Sequence, residues 1–217
     1  MSDEMYPVSV EGELKEIPSR GLWLVKWLLL VPHFIVLAAL AVVFVLFTII
    51  AWFAILFTGR YPKGMFNFNI GVMRWSWRVG FYGYSALATD KYPPFSLKKM
   101  DEFPADLDVE YPEKLSRGLI FVKWLLAIPH FAILAILVGS SQMHNPGWGW
   151  IAGKEMEEGV RTLGLLWVLI IIAAVVLLFA KKYIKDIFKI VLGINRWSYR
   201  VIAYVFLMTD KYPPFKL

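Results

Sequence analysis

The chain has 217 residues, of which 59% are hydrophobic, 17% aromatic and only 18% charged, with no cysteine and a formal net charge of +6. An ordinary soluble domain is nearer half apolar and a quarter charged, so this composition points to a lipid environment. The missing cysteines exclude disulfides, thiolate catalysis and Cys-bound metals. In so apolar a chain, surplus Lys and Arg fits cytoplasmic loops and anionic headgroups better than nucleic acid, and no nucleic-acid partner is expected.

In chain order, the polar stretch Met1 to Ser19 comes first, so no cleaved signal peptide is expected. It contains Val8-Ser9-Val10-Glu11, whose period-two alternation predicts a strand. The run from Gly21 to Thr58 follows with a single charge, Lys26. As one helix it would reach about 57 Å, roughly twice the hydrocarbon core. A hairpin turning near Ala41 to Phe44 is therefore the favoured reading, with one tilted span preceded by an interfacial helix as the other. Met65 to Ala88 is neither clean span nor soluble helix. Arg74 and Arg78 stand i, i+4 and share a helical face, with Trp75, Trp77 and Phe81 nearby. This reads as an amphipathic helix in the cytoplasmic interface, a third span being the rival.

Then the chain repeats itself. Val25-Lys26-Trp27-Leu28-Leu29 and Pro32-His33-Phe34 return as Val122-Lys123-Trp124-Leu125-Leu126 and Pro129-His130-Phe131. Arg74-Trp75-Ser76-Trp77-Arg78-Val79 returns as Arg196-Trp197-Ser198-Tyr199-Arg200-Val201, and Thr89 to Phe95 returns unchanged as Thr209 to Phe215. Leu107-Asp108-Val109-Glu110 alternates like the first predicted strand, and the two could pair across the halves. His33 and His130 stand 97 apart, Arg74 and Arg196 122 apart, so the second copy carries 25 extra residues between those points. They fall at about 140–160, whose charges (Lys154 against Glu155, Glu157 and Glu158) suggest a non-cytoplasmic loop. The expected division is 1–100 for the first membrane repeat and 101–217 for the second. The fold class is all-α integral membrane protein: a tandem repeat of transmembrane helical hairpin plus interfacial amphipathic helix, with short cytoplasmic β pairing.

Binding candidates are few. Arg74, Arg78, Arg196 and Arg200, joined by Lys185 and Lys189, are the candidate lipid or phosphate ligands, because guanidinium forks hold phosphate bidentately. Lys26, Trp27, Lys123, Trp124, Trp75, Trp197, Tyr92, Phe95, Tyr212 and Phe215 are candidate interfacial anchors, the lysines snorkelling toward headgroups. Asp90 and Asp210 precede the Tyr-Pro-Pro-Phe motifs; each either pairs with a nearby Lys or Arg or supplies an acid in a lipid or ion site. His33 and His130, each following a proline, could hydrogen-bond a carbonyl freed by that proline, or ligate a haem or a chlorophyll-type pigment. No other cofactor and no metal is expected. There is no nucleophile–base constellation, no phosphate-cradling glycine loop and no paired intramembrane carboxylates, which points away from an enzyme.

The three motifs together resemble a bacterial membrane-protein family catalogued as domain of unknown function 4389, in two tandem copies. Its pattern resembles Lys26 to His33, Arg74 to Val79 and Thr89 to Phe95, and again Lys123 to His130, Arg196 to Val201 and Thr209 to Phe215. The resemblance implies the bacterial cytoplasmic membrane and brings no catalytic residue with it. The functional expectation is a multi-pass, non-enzymatic accessory or scaffold subunit with both termini cytoplasmic. Its partners would be anionic lipid and other membrane subunits or further copies of itself. The alternatives are a small pore or lipid transporter between the repeats, and a haem or pigment carrier through His33 and His130.

Overall fold

The computed structural model describes residues 6–14, 18–19, 21–139, 164–180 and 183–217. The expected loop at 140–160 lies outside them. Among the described residues the chain is mostly helical with one small sheet. Strand β1 (Val8–Gly12) precedes a single 3-10 turn (Leu22–Leu24), helices α1 (Lys26–Thr58) and α2 (Lys63–Tyr82) and strand β2 (Ala105–Val109). Helices α3 (Leu119–Leu126), α4 (Ile128–Val138), α5 (Leu165–Ala180) and α6 (Lys185–Val205) complete the order.

The first hairpin does not form. Helix α1 runs unbroken for 33 residues, about 50 Å. Leu, Val, Ala, Ile and Phe hold its centre with no Gly, Pro or Asn to reverse the chain, and Pro32 is accommodated near its start. It ends where Gly59 adopts φ +70° and donates its N–H to the Ile55 carbonyl at 2.8 Å, the left-handed exit glycine allows at least cost.

The second copy follows the same plan in pieces. A break at Ala127, just ahead of Pro129, divides α3 from α4. A side-chain carbon on Gly164 would collide with the carbonyl of Val138 and the nitrogen of Gly139, so α5 begins where α4 stops. From there α5 leads to Tyr183, whose hydroxyl donates to the Ala86 carbonyl. Ala86 is three residues from Thr89, which meets Lys26 at the start of α1. At the opposite end of α1, the Leu115 N–H ahead of α3 donates to the Gly59 carbonyl at 2.8 Å, and Phe121 meets Trp52 edge to face. The segments α3, α4 and α5 therefore form one interrupted rod antiparallel to α1, and the expected second hairpin is corrected along with the first.

Under these two rods lie α2 and α6, meeting at Trp77 and Tyr199 with ring centroids 5.7 Å apart. Trp75, Trp77, Phe81 and Arg78 on α2, and Trp197, Val201 and Tyr204 on α6, are buried in protein. The reading of Met65–Ala88 and Tyr183–Met208 as interfacial helices is thus corrected: both form the middle layer. The third layer is the sheet. Strands β1 and β2 pair antiparallel from Val8 opposite Val109 to Gly12 opposite Ala105, as their alternation predicts. Val8, Val10, Ala105, Leu107 and Val109 face inward while Ser9 and Asp108 face out. Residues of both copies make one continuous core, so the repeats do not fold as separate bodies.

The outer face of the two rods is apolar along its full length, from Leu24 just ahead of α1, and Trp27 and Leu28, through Ile35, Leu46 and Ile50 to Phe57 on α1. Phe121, Trp124, Ile136, Ile172 and Phe179 continue it on the second rod. By length and composition, helix α1 and the stretch Leu119–Val138 that α3 and α4 share are long and apolar enough to cross a membrane.

Candidate functional site

The repeated motifs, far apart in sequence, converge on two matching clusters. In the first, Lys26 projects from the first turn of α1 under the segment that follows α2. Its ammonium donates to the Thr89 carbonyl at 2.7 Å, lies 3.0 Å from an Asp90 oxygen and sits 4.5 Å above the Tyr82 ring. The Ser19 N–H donates to the other Asp90 oxygen at 2.5 Å. The second cluster repeats every contact. Lys123 donates to the Thr209 carbonyl at 2.8 Å, pairs with Asp210 at 2.7 Å and lies 5.3 Å from Tyr204, while the Ser116 N–H reaches Asp210 at 2.6 Å. Leu87 (φ 52°) and Leu207 (φ 65°) turn the chain left-handed just ahead of the two threonines. Such a conformation in a non-glycine residue carries strain that the surroundings must offset.

Two turns along each rod stands an aromatic box. The Trp75 indole N–H donates to His33 Nδ1 at 3.0 Å, and Phe95 stacks on the imidazole at 3.9 Å between centroids. Tyr92 packs at 5.0 Å and donates its hydroxyl to the Leu29 carbonyl. In the second copy Trp197 donates to His130 Nδ1 at 3.0 Å, Phe215 stacks at 4.1 Å, and Tyr212 donates to Leu126. The proline-histidine turn is thus served by a tyrosine hydroxyl, and the histidine accepts from tryptophan instead of binding a backbone carbonyl. With Nδ1 accepting, the imidazole proton belongs on Nε2. Both imidazoles are completely enclosed, each in the box of its own copy, so neither is presented to a haem or pigment.

Several anchor assignments change in consequence. Lys26 and Lys123 do not snorkel; they are buried in ion pairs, and Asp90 and Asp210 are their partners. Trp75 and Trp197 are buried donors. Trp27 and Trp124 do face outward, and Tyr92, Phe95, Tyr212 and Phe215 remain exposed on one side.

The arginines serve the sheet. Arg74 donates to the carbonyls of Leu107 (2.8 Å) and Leu97 (3.3 Å) and pairs with Asp106 (3.1 Å) and Asp108 (3.0 Å). Arg78 is fully buried and donates to the Ser96 carbonyl. Its burial, with Arg74 beside it, lowers its pKa to about 10, still charged at neutral pH. Arg196 donates to the Val10 carbonyl at 3.2 Å, and Arg200 lies 5.3 Å from the Tyr6 ring. Arg74 and Arg78 are therefore corrected as headgroup ligands, their forks being turned inward. Lys185 and Lys189 are exposed, Lys189 standing 3.7 Å from Asp186.

Sequence reasoning missed Thr89, Thr209, Ser19 and Ser116, whose backbone groups complete the clasps, and Tyr82 and Tyr204 beneath the lysines. Ser19 and Ser116 open a repeated Ser-Arg-Gly-Leu, which was the available signal. A cavity of about 640 Å³ opens between α1 and the α4–α5 junction. Phe34, Leu37 and Trp167 line it together with the hydroxyl-bearing Ser76, Ser85 and Tyr199. Among the described residues no group of three His, Asp or Glu side chains could hold a metal ion.

A family model described as domain of unknown function (DUF4389) matches residues 20–96 and 162–216, together more than half of the chain. No curated protein and no solved structure matches it.

Proposed function

The chain belongs to the family described as domain of unknown function (DUF4389), and from that premise we propose that it is a non-enzymatic bacterial membrane protein, an accessory or scaffold element of a larger membrane assembly that also engages anionic lipid. The observation that carries this reading is the division of labour between the two faces. The repeated Lys26, Lys123, Trp75, Trp197, Asp90 and Asp210 are engaged in contacts that fix the fold, whereas the apolar outer face of the two rods is left uncovered by the described residues. An apolar face of this extent calls for lipid or protein to cover it. Extraction in lipid nanodiscs followed by identification of the associated proteins tests the role. A stoichiometric membrane partner is expected; a chain recovered alone, with lipid only, would contradict the scaffold reading.

A second reading, lipid transport between the repeats, is favoured by the cavity beside the α4–α5 junction, whose apolar walls and hydroxyl groups suit an acyl chain and its linkage. Native mass spectrometry would detect one retained lipid per chain, lost on widening of the contact through Trp167→Ala. Lipid exchange between vesicles would separate carriage from simple binding.

A further inference from the structure

We infer that the protein lies along the membrane instead of through it, the outer face of α1 and the α3–α5 rod seated in the acyl region of one leaflet and the sheet turned to water. This seat rests on the membrane reading above and deepens it. Four observations carry it.

The first is the position of the sheet. Arg74 holds β2 while its neighbour Trp75 reaches His33 in α1; Arg196 holds β1 while Trp197 reaches His130 in the second rod. Because the rods are antiparallel, His33 and His130 lie toward opposite ends, and the sheet bridging them sits beneath the middle of the pair. Were α1 to cross the bilayer, Asp106, Asp108 and Lys99, of which Asp108 and Lys99 are largely exposed, would lie at hydrocarbon depth. A charged side chain at that depth is strongly disfavoured unless it is paired and shielded from lipid.

The second is the sheet itself. Among the described residues the sheet has only two strands, so each has an edge without a neighbouring strand, and a lipid-exposed sheet edge is not tolerated in hydrocarbon.

The third is length. Helix α1 alone is about 50 Å long, well beyond a core of about 30 Å, yet its outward apolar face continues to both ends. A face that never becomes polar along its axis fits a surface parallel to it.

The fourth is charge. Exposed Arg60, Lys63 and Arg117 border one end of the rods, and Lys91 and Lys185 the other. Crossing would put a basic fringe in each water compartment, against the usual cytoplasmic bias. Lying flat gathers both fringes over one leaflet, where anionic headgroups attract them. The leaflet is thus the occupant of the apolar face.

The test uses the full chain, which has no native cysteine. Lys63→Cys and Lys91→Cys, at opposite ends of α1, are labelled with an impermeant maleimide in sealed vesicles of phosphatidylethanolamine and phosphatidylglycerol. Nitroxides at exposed positions 24, 35, 46 and 57 then report depth. The inference expects both cysteines to label from one side and the four depths to agree within about 5 Å. Labelling from opposite sides would overturn it, as would central nitroxides lying about 15 Å deeper than terminal ones, the profile of a crossing helix. If the protein fails to float with the vesicles at all, the membrane reading itself fails. Flotation with the wrong sidedness or depth removes only the seat.

Discussion

The indole of Trp75 donates to Nδ1 of His33 across 3.0 Å, and Trp197 does the same to His130 at the same distance. The bond joins the middle layer to the outer rods in each copy, and it is buried at both ends. Trp75→Phe keeps an aromatic ring but leaves an imidazole acceptor without a partner. A loss of about 1–3 kcal/mol is expected from that unsatisfied group. Trp197→Phe should lower the thermal unfolding midpoint by a similar amount, and no change in either variant would show that the bond does not support the fold.

The lysine–aspartate clasps should respond asymmetrically to substitution. Lys26 is fully buried, whereas Asp90 keeps 27% of its side chain exposed. Asp90→Ala strands a buried ammonium, for which about 3–5 kcal/mol is expected. Lys26→Met leaves a carboxylate that water can still reach, so its cost should be smaller. Unfolding of Asp90→Ala, Lys26→Met and the double variant by circular dichroism in detergent would show the order. The double variant should recover part of the Asp90→Ala loss; strict additivity would contradict the pairing.

Acid should loosen the first clasp in a defined window. Burial pushes the Asp90 carboxyl up, but the Ser19 amide and hydroxyl and the Lys26 ammonium outweigh it and hold it below its ordinary 3.8. A carboxyl lowered by folding stabilises above its unfolded value and loses that contribution as pH falls through the folded one. The wild-type midpoint should therefore be steady above about pH 5 and drop below it. Asp90→Asn should drop less over the same range, and parallel curves for the two proteins would refute the assignment.

Two helix glycines should resist enlargement while a third does not. A Cβ on Gly71 would meet the Leu97 Cβ at 2.7 Å and its carbonyl oxygen at 2.9 Å, and one on Gly193 would meet the Leu217 Cβ at 2.9 Å. Gly64, also in α2, has open space around it. Gly71→Ala and Gly193→Ala should each lose about 1–3 kcal/mol through forced backbone movement. Gly64→Ala should be neutral or gain about 0.5–1 kcal/mol from helix propensity. Equal effects at Gly64 and Gly71 would contradict the packing of the Leu97 segment on α2.

Much of the architecture is legible in the residues. The alternation at Val8–Glu11 and Leu107–Glu110 predicts the strands and their pairing, and the co-repetition of aspartate with basic residues includes the ion-pair reading that the structure shows. The hairpins are not legible because they do not exist. Gly21 to Thr58 offers no reversing residue, and the turn is an inference from the interrupted second copy, whose helices α4 and α5 meet end to end at Val138 and Gly164. Lys26 reads as a snorkelling side chain because its partners lie far off in sequence, the Thr89 carbonyl 63 residues later. Arg74 and Arg78 read as a headgroup stripe for a related reason. Helical spacing places them on one face, but only the path of the later chain shows that Leu97, Ser96 and the β2 carbonyls cover it.

We place the apolar face of the two rods in one membrane leaflet. Neutron reflectometry on the protein in a supported bilayer of phosphatidylethanolamine and phosphatidylglycerol tests it most directly. Protein density is expected to enter one leaflet by about one helix diameter, about 10 Å, and otherwise to extend into water on that side alone. Density through the full hydrocarbon thickness, with protein emerging on both sides, would contradict it.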